Sequence, residues 1–235
     1  MINAATKASI APLPLLLMLL SLTTGLVDAI SVLGLGKVFT ANMTGNIVFL
    51  GFAAAGVPGF RVAPYLMAIA AFLVGALVAG RVGRHYAGLP LRRWLLVAAL
   101  VEATLLWIAA GFAIGFDIPA QSPGASLYAI IALTGLAMGF RNATIRQLKV
   151  PDLTTTVLTL TITGLAADST LAGGGNPNWG RRIGSIVAIF SGAAIGAVLV
   201  THGGLVIPLL LAGALILGGT LACMLHPAAA DVVAG

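Results

Sequence analysis

Three ionisable residues stand inside apolar runs: Asp28, Glu102 and Arg141. A charged side chain at the centre of a bilayer costs at least about 2.5 kcal/mol on insertion scales, so each needs a partner, a proton or water. Asp28, several residues before Gly34, has two readings of equal standing. It is a proton or cation site, or it is half of a buried ion pair or a bond to backbone. Glu102 sits in Leu95-Leu96-Val97-Ala98-Ala99-Leu100-Val101-Glu102-Ala103-Thr104-Leu105-Leu106-Trp107, with no partner nearby in sequence. It is the second candidate to carry a coupling proton. Arg141 follows Gly135-Leu136-Ala137-Met138-Gly139, a small-xxx-small pattern suited to close helix contact. It either snorkels toward Lys149, about 12 Å further along a helix, or pairs with Asp28 or an anionic ligand.

A second kind of chemistry lies in uncharged polar groups. Phe39-Thr40-Ala41-Asn42-Met43-Thr44-Gly45-Asn46 opens an otherwise apolar segment. Asn42 and Asn46 are four apart and share a helix face, with Thr40 and Thr44 roughly opposite. Polar groups on both sides imply a turn enclosed by protein. Further on, Thr155, Thr159 and Thr163 form a stripe at the same spacing, and Asp152 after Pro151 suits a helix N-cap. Such groups line a solute site, or they bond neighbouring helices as packing glue worth about 0.6 kcal/mol each.

The elements that would position these residues follow from composition. The chain has 235 residues, 60% hydrophobic and 8% charged, with mean hydropathy +1.10. Soluble domains carry roughly 25% charged residues, so a polytopic, all-α membrane protein is expected. The apolar runs are continuous and about 20 residues long, which suits helices and not the alternating strands of a barrel. The net charge of +6 lies between apolar runs and reads as a topology signal, so no nucleic-acid partner is expected. The single cysteine, Cys223, reads as a packing residue.

About eight apolar segments of membrane-span type are discernible, at 12–34, 40–57, 63–83, 94–116, 125–147, 153–168, 183–201 and 204–225. Turn residues separate them. The last break, His202-Gly203-Gly204, is weak, and without it there are seven. The first segment reads as a span and not a cleaved signal, because its hydrophobicity continues past Gly25. With eight crossings, Lys37, Arg81, Arg84, Arg92, Arg93, Arg141, Arg146 and Lys149 fall on one side. Lys7, Arg61, Arg181 and Arg182 fall on the other, which places both termini outside.

The segments echo one another. Thr24-Gly25-Leu26-Val27-Asp28-Ala29 resembles Thr134-Gly135-Leu136, with Asn142-Ala143 slightly later. Phe72-Leu73-Val74-Gly75 resembles Ile189-Phe190-Ser191-Gly192. A single domain over 1–235 is therefore expected, with repeats at about 12–116 and 125–225. Four spans per copy would relate the copies by an axis along the membrane normal. The short second and sixth segments then match, and in transporters such interrupted pairs point to the binding site. Gly192-Ala193-Ala194-Ile195-Gly196 is a GxxxG pattern that favours helix packing within the chain or in a homo-oligomer.

Metalloprotease, phosphate-loop, serine-hydrolase and redox-cysteine motifs are absent from the sequence. An enzyme is thus disfavoured, and no cofactor or metal is expected.

Two of these stretches carry a family resemblance. Gly25-Leu26-Val27-Asp28-Ala29, then Val38-Phe39-Thr40-Ala41-Asn42-Met43-Thr44-Gly45-Asn46 and Gly51, resemble the leading signature of the YoaK family, bacterial membrane proteins with a domain of unknown function. Gly139-Phe140-Arg141-Asn142-Ala143, followed by Thr154-Thr155-Thr156, resembles its second signature. The likeness covers about residues 13–225. This chain reads Thr159-Leu160 where that signature commonly has Thr-Gly. The resemblance implies a bacterial inner-membrane location and supplies no substrate.

Taken together, the residues predict a small secondary transporter with a site between segments 1, 2, 5 and 6. Asp28, Asn42, Thr44, Asn46, Arg141, Asn142, Thr155 and Thr159 would contact an unknown small solute, and Asp28 or Glu102 would carry a coupling proton. The alternative is a membrane scaffold in which the same residues only lock helices together.

Overall fold

A computed structural model describes residues 12–86, 88–148 and 158–225. Lys149, Asp152, Thr154 and Thr155 fall outside the described residues. Every helix stands where an apolar run stood: α1 (Pro12–Gly34), α2 (Met43–Ala54), α3 (Val62–Tyr86), α4 (Leu91–Phe112), α5 (Gly124–Leu148), α6 (Leu158–Ala167), α7 (Trp179–Gly203) and α8 (Val206–Leu225). A 3-10 turn covers Thr170–Ala172, and no strand occurs among the described residues. Pro14, Pro64 and Pro208 lie in first turns, where a missing N–H costs little. The weak break at His202–Gly204 is real: Gly204 takes φ +68°, a left-handed conformation that ends α7.

Eight crossings do not follow from eight helices. Six are long and apolar enough to span a membrane. Of the other two, α2 has 12 residues and α6 has 10 among the described residues. That is about 18 and 15 Å of helix, against roughly 30 Å of hydrocarbon.

Glycine contacts fix how the long helices pack. α1 and α7 run side by side in the same direction: Met18, Leu22 and Ala29 meet Gly184, Gly192 and Gly196 in that order. α3 and α5 do the same, with Ala71 on Gly135, Phe72 on Gly139 and Gly83 on Gln147. The closest approaches are backbone to backbone. A methyl at Gly25 would collide with the Ile189 carbonyl, and one at Gly192 with that of Leu22. In the other pair, Gly139 stands equally tight on Phe72 and Gly75 on Leu136. The GxxxG face of α7 is therefore occupied inside the chain.

α4 and α8 cross the middle in opposite directions. Trp107 Nε1 donates to Leu210 O at 3.2 Å, while Ala98 and Thr220 lie together at the far end. α8 also opposes α1, with Leu205 against Gly34 and Gly219 against Leu19. The long helices accordingly alternate direction along the chain: α1, α3, α4, α5, α7, α8. Had α2 crossed, α1 and α3 would point the same way.

The outer surface carries exposed apolar side chains such as Leu73, Leu77, Phe190 and Val198. Lipid covers such a face at no hydrophobic cost, which leaves close small-residue contacts to hold the bundle together.

Candidate functional site

Midway along the bundle, Arg141 of α5 is wholly buried, and Glu102 lies near the centre of α4. Arg141 Nε donates to Glu102 Oε2 at 2.7 Å. Nη1 donates across to α1, to Thr23 Oγ1 at 3.0 Å, Thr24 Oγ1 at 3.2 Å and Leu20 O at 3.2 Å. Both threonine hydroxyls donate back to Leu20 O, so their lone pairs are free to receive the guanidinium. A carboxylate, two hydroxyls and a carbonyl thus replace water around a charge that hydrocarbon would not tolerate.

Snorkelling does not describe Arg141, and Glu102 does have a partner, 39 residues away. Neither fact was visible locally, because each residue stood alone in its own segment. The available signal was depth: two opposite charges, each well inside a span, meet when the helices are antiparallel. Beside the pair lies a cavity of about 20 Å³, close to the room one water needs. Thr144 and Thr220 line it with Glu102 and Arg141.

α1 and α5 scarcely touch elsewhere, so the reach of Arg141 spans a seam between them. Asp28 is one turn beyond Thr24 on α1. Its carboxylate faces the backbone N–H of Ala41 and interacts with Arg141 through space. Oδ1 is buried without a hydrogen-bond partner, as are Thr40 Oγ1 and Arg141 Nη2. Thr40 is fully buried, as an enclosed turn requires, although it was not among the expected solute contacts.

The chain reaches Ala41 by folding back after α1. Gly36 and Lys37 take positive φ of 78° and 65° and reverse it. The returning non-helical stretch is pinned by Asn46, whose amide receives the Phe39 N–H at 2.9 Å and donates to the Phe39 carbonyl. Asn42 caps α2 by accepting the Gly45 N–H at 3.4 Å. Phe49 then fastens α2 to its surroundings, 5.2 Å from Phe60 and 5.9 Å from Tyr65 between ring centres.

The polar residues around α2 and α6 therefore separate. Asn46 is buried, whereas Asn42, Thr44 and Thr159 are exposed, so the α2 turn is not enclosed on all sides. Asn142 donates to Met138 O at 2.8 Å within its own helix. Thr155 lies outside the described residues. Asp28, Glu102 and Arg141 come together; Thr44 and Thr159 have no described contact with them. No group of three or more His, Cys, Asp and Glu suited to a metal occurs among the described residues.

A family profile described as "Protein of unknown function (DUF1275)" matches residues 16–223. The chain is 35% identical to UPF0700 transmembrane protein YoaK of Bacillus subtilis (strain 168) over 153 residues. That alignment covers 65% of this chain and 65% of the relative's length. No solved structure matches. The six long apolar helices and a profile running through all of them agree: this is a multi-pass membrane protein that belongs to the DUF1275 family, to which YoaK gives the other name.

Proposed function

We propose that the chain is a small-solute permease of the bacterial inner membrane, built from two inverted halves that meet at the α1–α5 seam. The observation that carries this reading is the seam itself. It is closed at mid-depth by one buried arginine, with an unpartnered carboxylate oxygen one helical turn away. Soluble cores rarely keep such groups without a use, and a bundle core in lipid less so.

The matched contacts support inversion. Gly25 and Gly139 stand 114 residues apart, as do Leu22 and Leu136, while Phe72 and Ile189 stand 117 apart, as do Gly75 and Gly192. Exchanging the halves by these offsets carries the α1–α7 contacts onto those of α3–α5. It also aligns Asp28 with Asn142, a better register than the Thr24–Thr134 pairing. α4 exchanges with α8, and these two are antiparallel, so the axis lies in the membrane plane and not along its normal. Three crossings per half then replace four.

Orientation changes as well. Arg81, Arg84, Arg92, Arg93, Arg146, Arg181 and Arg182 gather at one end, against Lys37 and Arg61 at the other. The crowded end is assigned to the cytoplasm, together with Pro12 and Leu225. This reverses the arrangement that eight crossings implied.

In this reading, the halves rock about the seam and expose its polar centre to each side in turn. The test is a broad solute screen on reconstituted protein, with Asp28→Asn beside the native chain. Flux of one solute class that Asp28→Asn abolishes supports the permease. Silence across the screen, with Asp28→Asn matching the native chain in cells, refutes it.

A scaffold is the second reading, and one observation favours it: many buried hydroxyls, including those of Ser21, Thr134 and Thr144, bond back to their own helices. Under that reading, Asn46→Ala and Arg141→Met cost stability and no flux is ever found.

A further inference from the structure

Counting charge at the centre gives a half-buried acid, Asp28, whose Oδ1 is buried, and a buried acid, Glu102, against one buried base, Arg141. Glu102 is committed to Arg141 at 2.7 Å. Asp28 is left with one oxygen facing no donor. The peptide group that meets its carboxylate joins Thr40 to Ala41, and Thr40 contributes a second buried oxygen with no partner. In the non-helical stretch 38–42 the Phe39 carbonyl accepts from Asn46 and that of Asn42 opens α2, which leaves those of Val38, Thr40 and Ala41 outside helix bonds. A negative charge and unwound backbone therefore meet at Asp28, with a second orphaned oxygen on the residue that precedes Ala41.

We propose that Asp28 and Thr40, with the backbone between Val38 and Ala41, hold a single monovalent cation, either Na+ or a proton. Oxygen donors with one carboxylate suit a hard, singly charged ion and not a soft transition metal. Unwound backbone beside a broken helix is where membrane proteins place such ions. One bound cation makes the buried set neutral; two would overcharge it, and none leaves a bare carboxylate in low dielectric. Among the described residues, Arg141 is the one charged group from a packed helix that acts on Asp28. Glu102 is screened from the cation by the guanidinium it shares.

Binding itself does not depend on the permease reading; the cation's role in coupling rests on it. The experiment therefore uses purified full-length protein in nanodiscs with no solute. Thermal unfolding is followed against Na+, with choline as control. Infrared difference spectra report the carbonyl stretch of any protonated acid. For Na+, stabilisation saturates, disappears in Asp28→Asn, and needs about tenfold more Na+ in Thr40→Val, which lacks one ligand oxygen. For a proton, Na+ has no effect, and a protonated-acid band is present that Asp28→Asn removes and Glu102→Gln leaves. Where Asp28→Asn does not fold, Asp28→Glu keeps the acid and displaces the band. A Na+ response that survives Asp28→Asn overturns the proposal. So does the absence of both a Na+ response and an Asp28 band. Cation binding with no flux in the solute screen would remove the permease and leave the cation site standing.

Discussion

Consider breaking the Arg141–Glu102 pair from each side. Removing one partner of a buried pair costs about 3–5 kcal/mol, because the survivor keeps its charge and loses its counter-ion. The two sides are unequal here. In Glu102→Gln, Arg141 still donates to Thr23, Thr24 and Leu20 O and still acts on Asp28. In Arg141→Met, Glu102 loses the one cation that the described residues place against it. Arg141→Met therefore costs the upper end, about 4–5 kcal/mol, and Glu102→Gln about 3 kcal/mol or less. The double variant Arg141→Met with Glu102→Leu leaves no charge behind and lies within about 1 kcal/mol of the native chain. At roughly 2–4 °C per kcal/mol for a chain of this size, Arg141→Met lowers Tm by about 10 °C or more, and the double variant restores most of it. The assay is thermal unfolding in one detergent, read as a double-mutant cycle closed with Glu102→Leu alone, which costs about as much as Glu102→Gln; the two single losses less that of the double give a coupling of about 6 kcal/mol. Equal losses from both single variants would contradict the part given to Asp28. A double variant as unstable as Arg141→Met would contradict the pair as the source of the cost. Flux in the double variant then separates fold from function, since a scaffold with charges removed loses nothing.

Three other perturbations probe the packing and the crossings. Asn46→Ala strands the Phe39 N–H and carbonyl, and costs about 2 kcal/mol in the same unfolding assay; no change would show that the returning stretch is held otherwise. Gly75→Ala and Gly192→Ala each push a methyl onto a facing backbone carbonyl, and both cost about 1–3 kcal/mol; a large loss in one and none in the other would break the match between the helix pairs. In a Cys223→Ala background, cysteines at Gly88 and Pro177 label from one side of the membrane and one at Pro58 from the other; labelling of Pro177 with Pro58 would restore eight crossings.

Periodicity and turn residues reveal helices, which is why all eight appeared in the sequence at nearly their observed places. Whether a helix crosses depends on length and on the direction of its neighbours. The run at 40–57 looked long enough because Thr40, Ala41 and Asn42 were counted in it. Those residues are not helical, and Asn42 caps the helix that starts at Met43. Site residues divided along a similar line. Asp28, Glu102 and Arg141 were conspicuous because lipid makes charge costly, yet their partnership needed antiparallel packing that no single segment encodes. Asn46 was legible as buried and polar, but its target was backbone seven residues upstream. Thr40 stood in the same polar cluster, and nothing in its spacing told it apart from Thr44, which is exposed.

Within the proposed inverted arrangement, the offset of 114 sharpens the choice between ion site and glue. It sets Gly25-Leu26-Val27-Asp28-Ala29 against Gly139-Phe140-Arg141-Asn142-Ala143. The two glycines do the same packing work, so the surroundings are comparable. At the fourth position one half uses an amide, which bonds its own helix at Met138. The other half uses an acid of nearly the same shape. The amide avoids the several kcal/mol of desolvation that an ionised carboxylate incurs. The third position differs too: Val27 faces where Arg141 stands in the other copy. A second arginine there would oppose the first across a narrow seam, at roughly 2 kcal/mol for charges about 8 Å apart in a medium of ε near 20. Charge thus resides in one half, and the acid beside the folded-back stretch is the costly choice of the two. Packing alone gives no return on that cost, whereas binding a cation does.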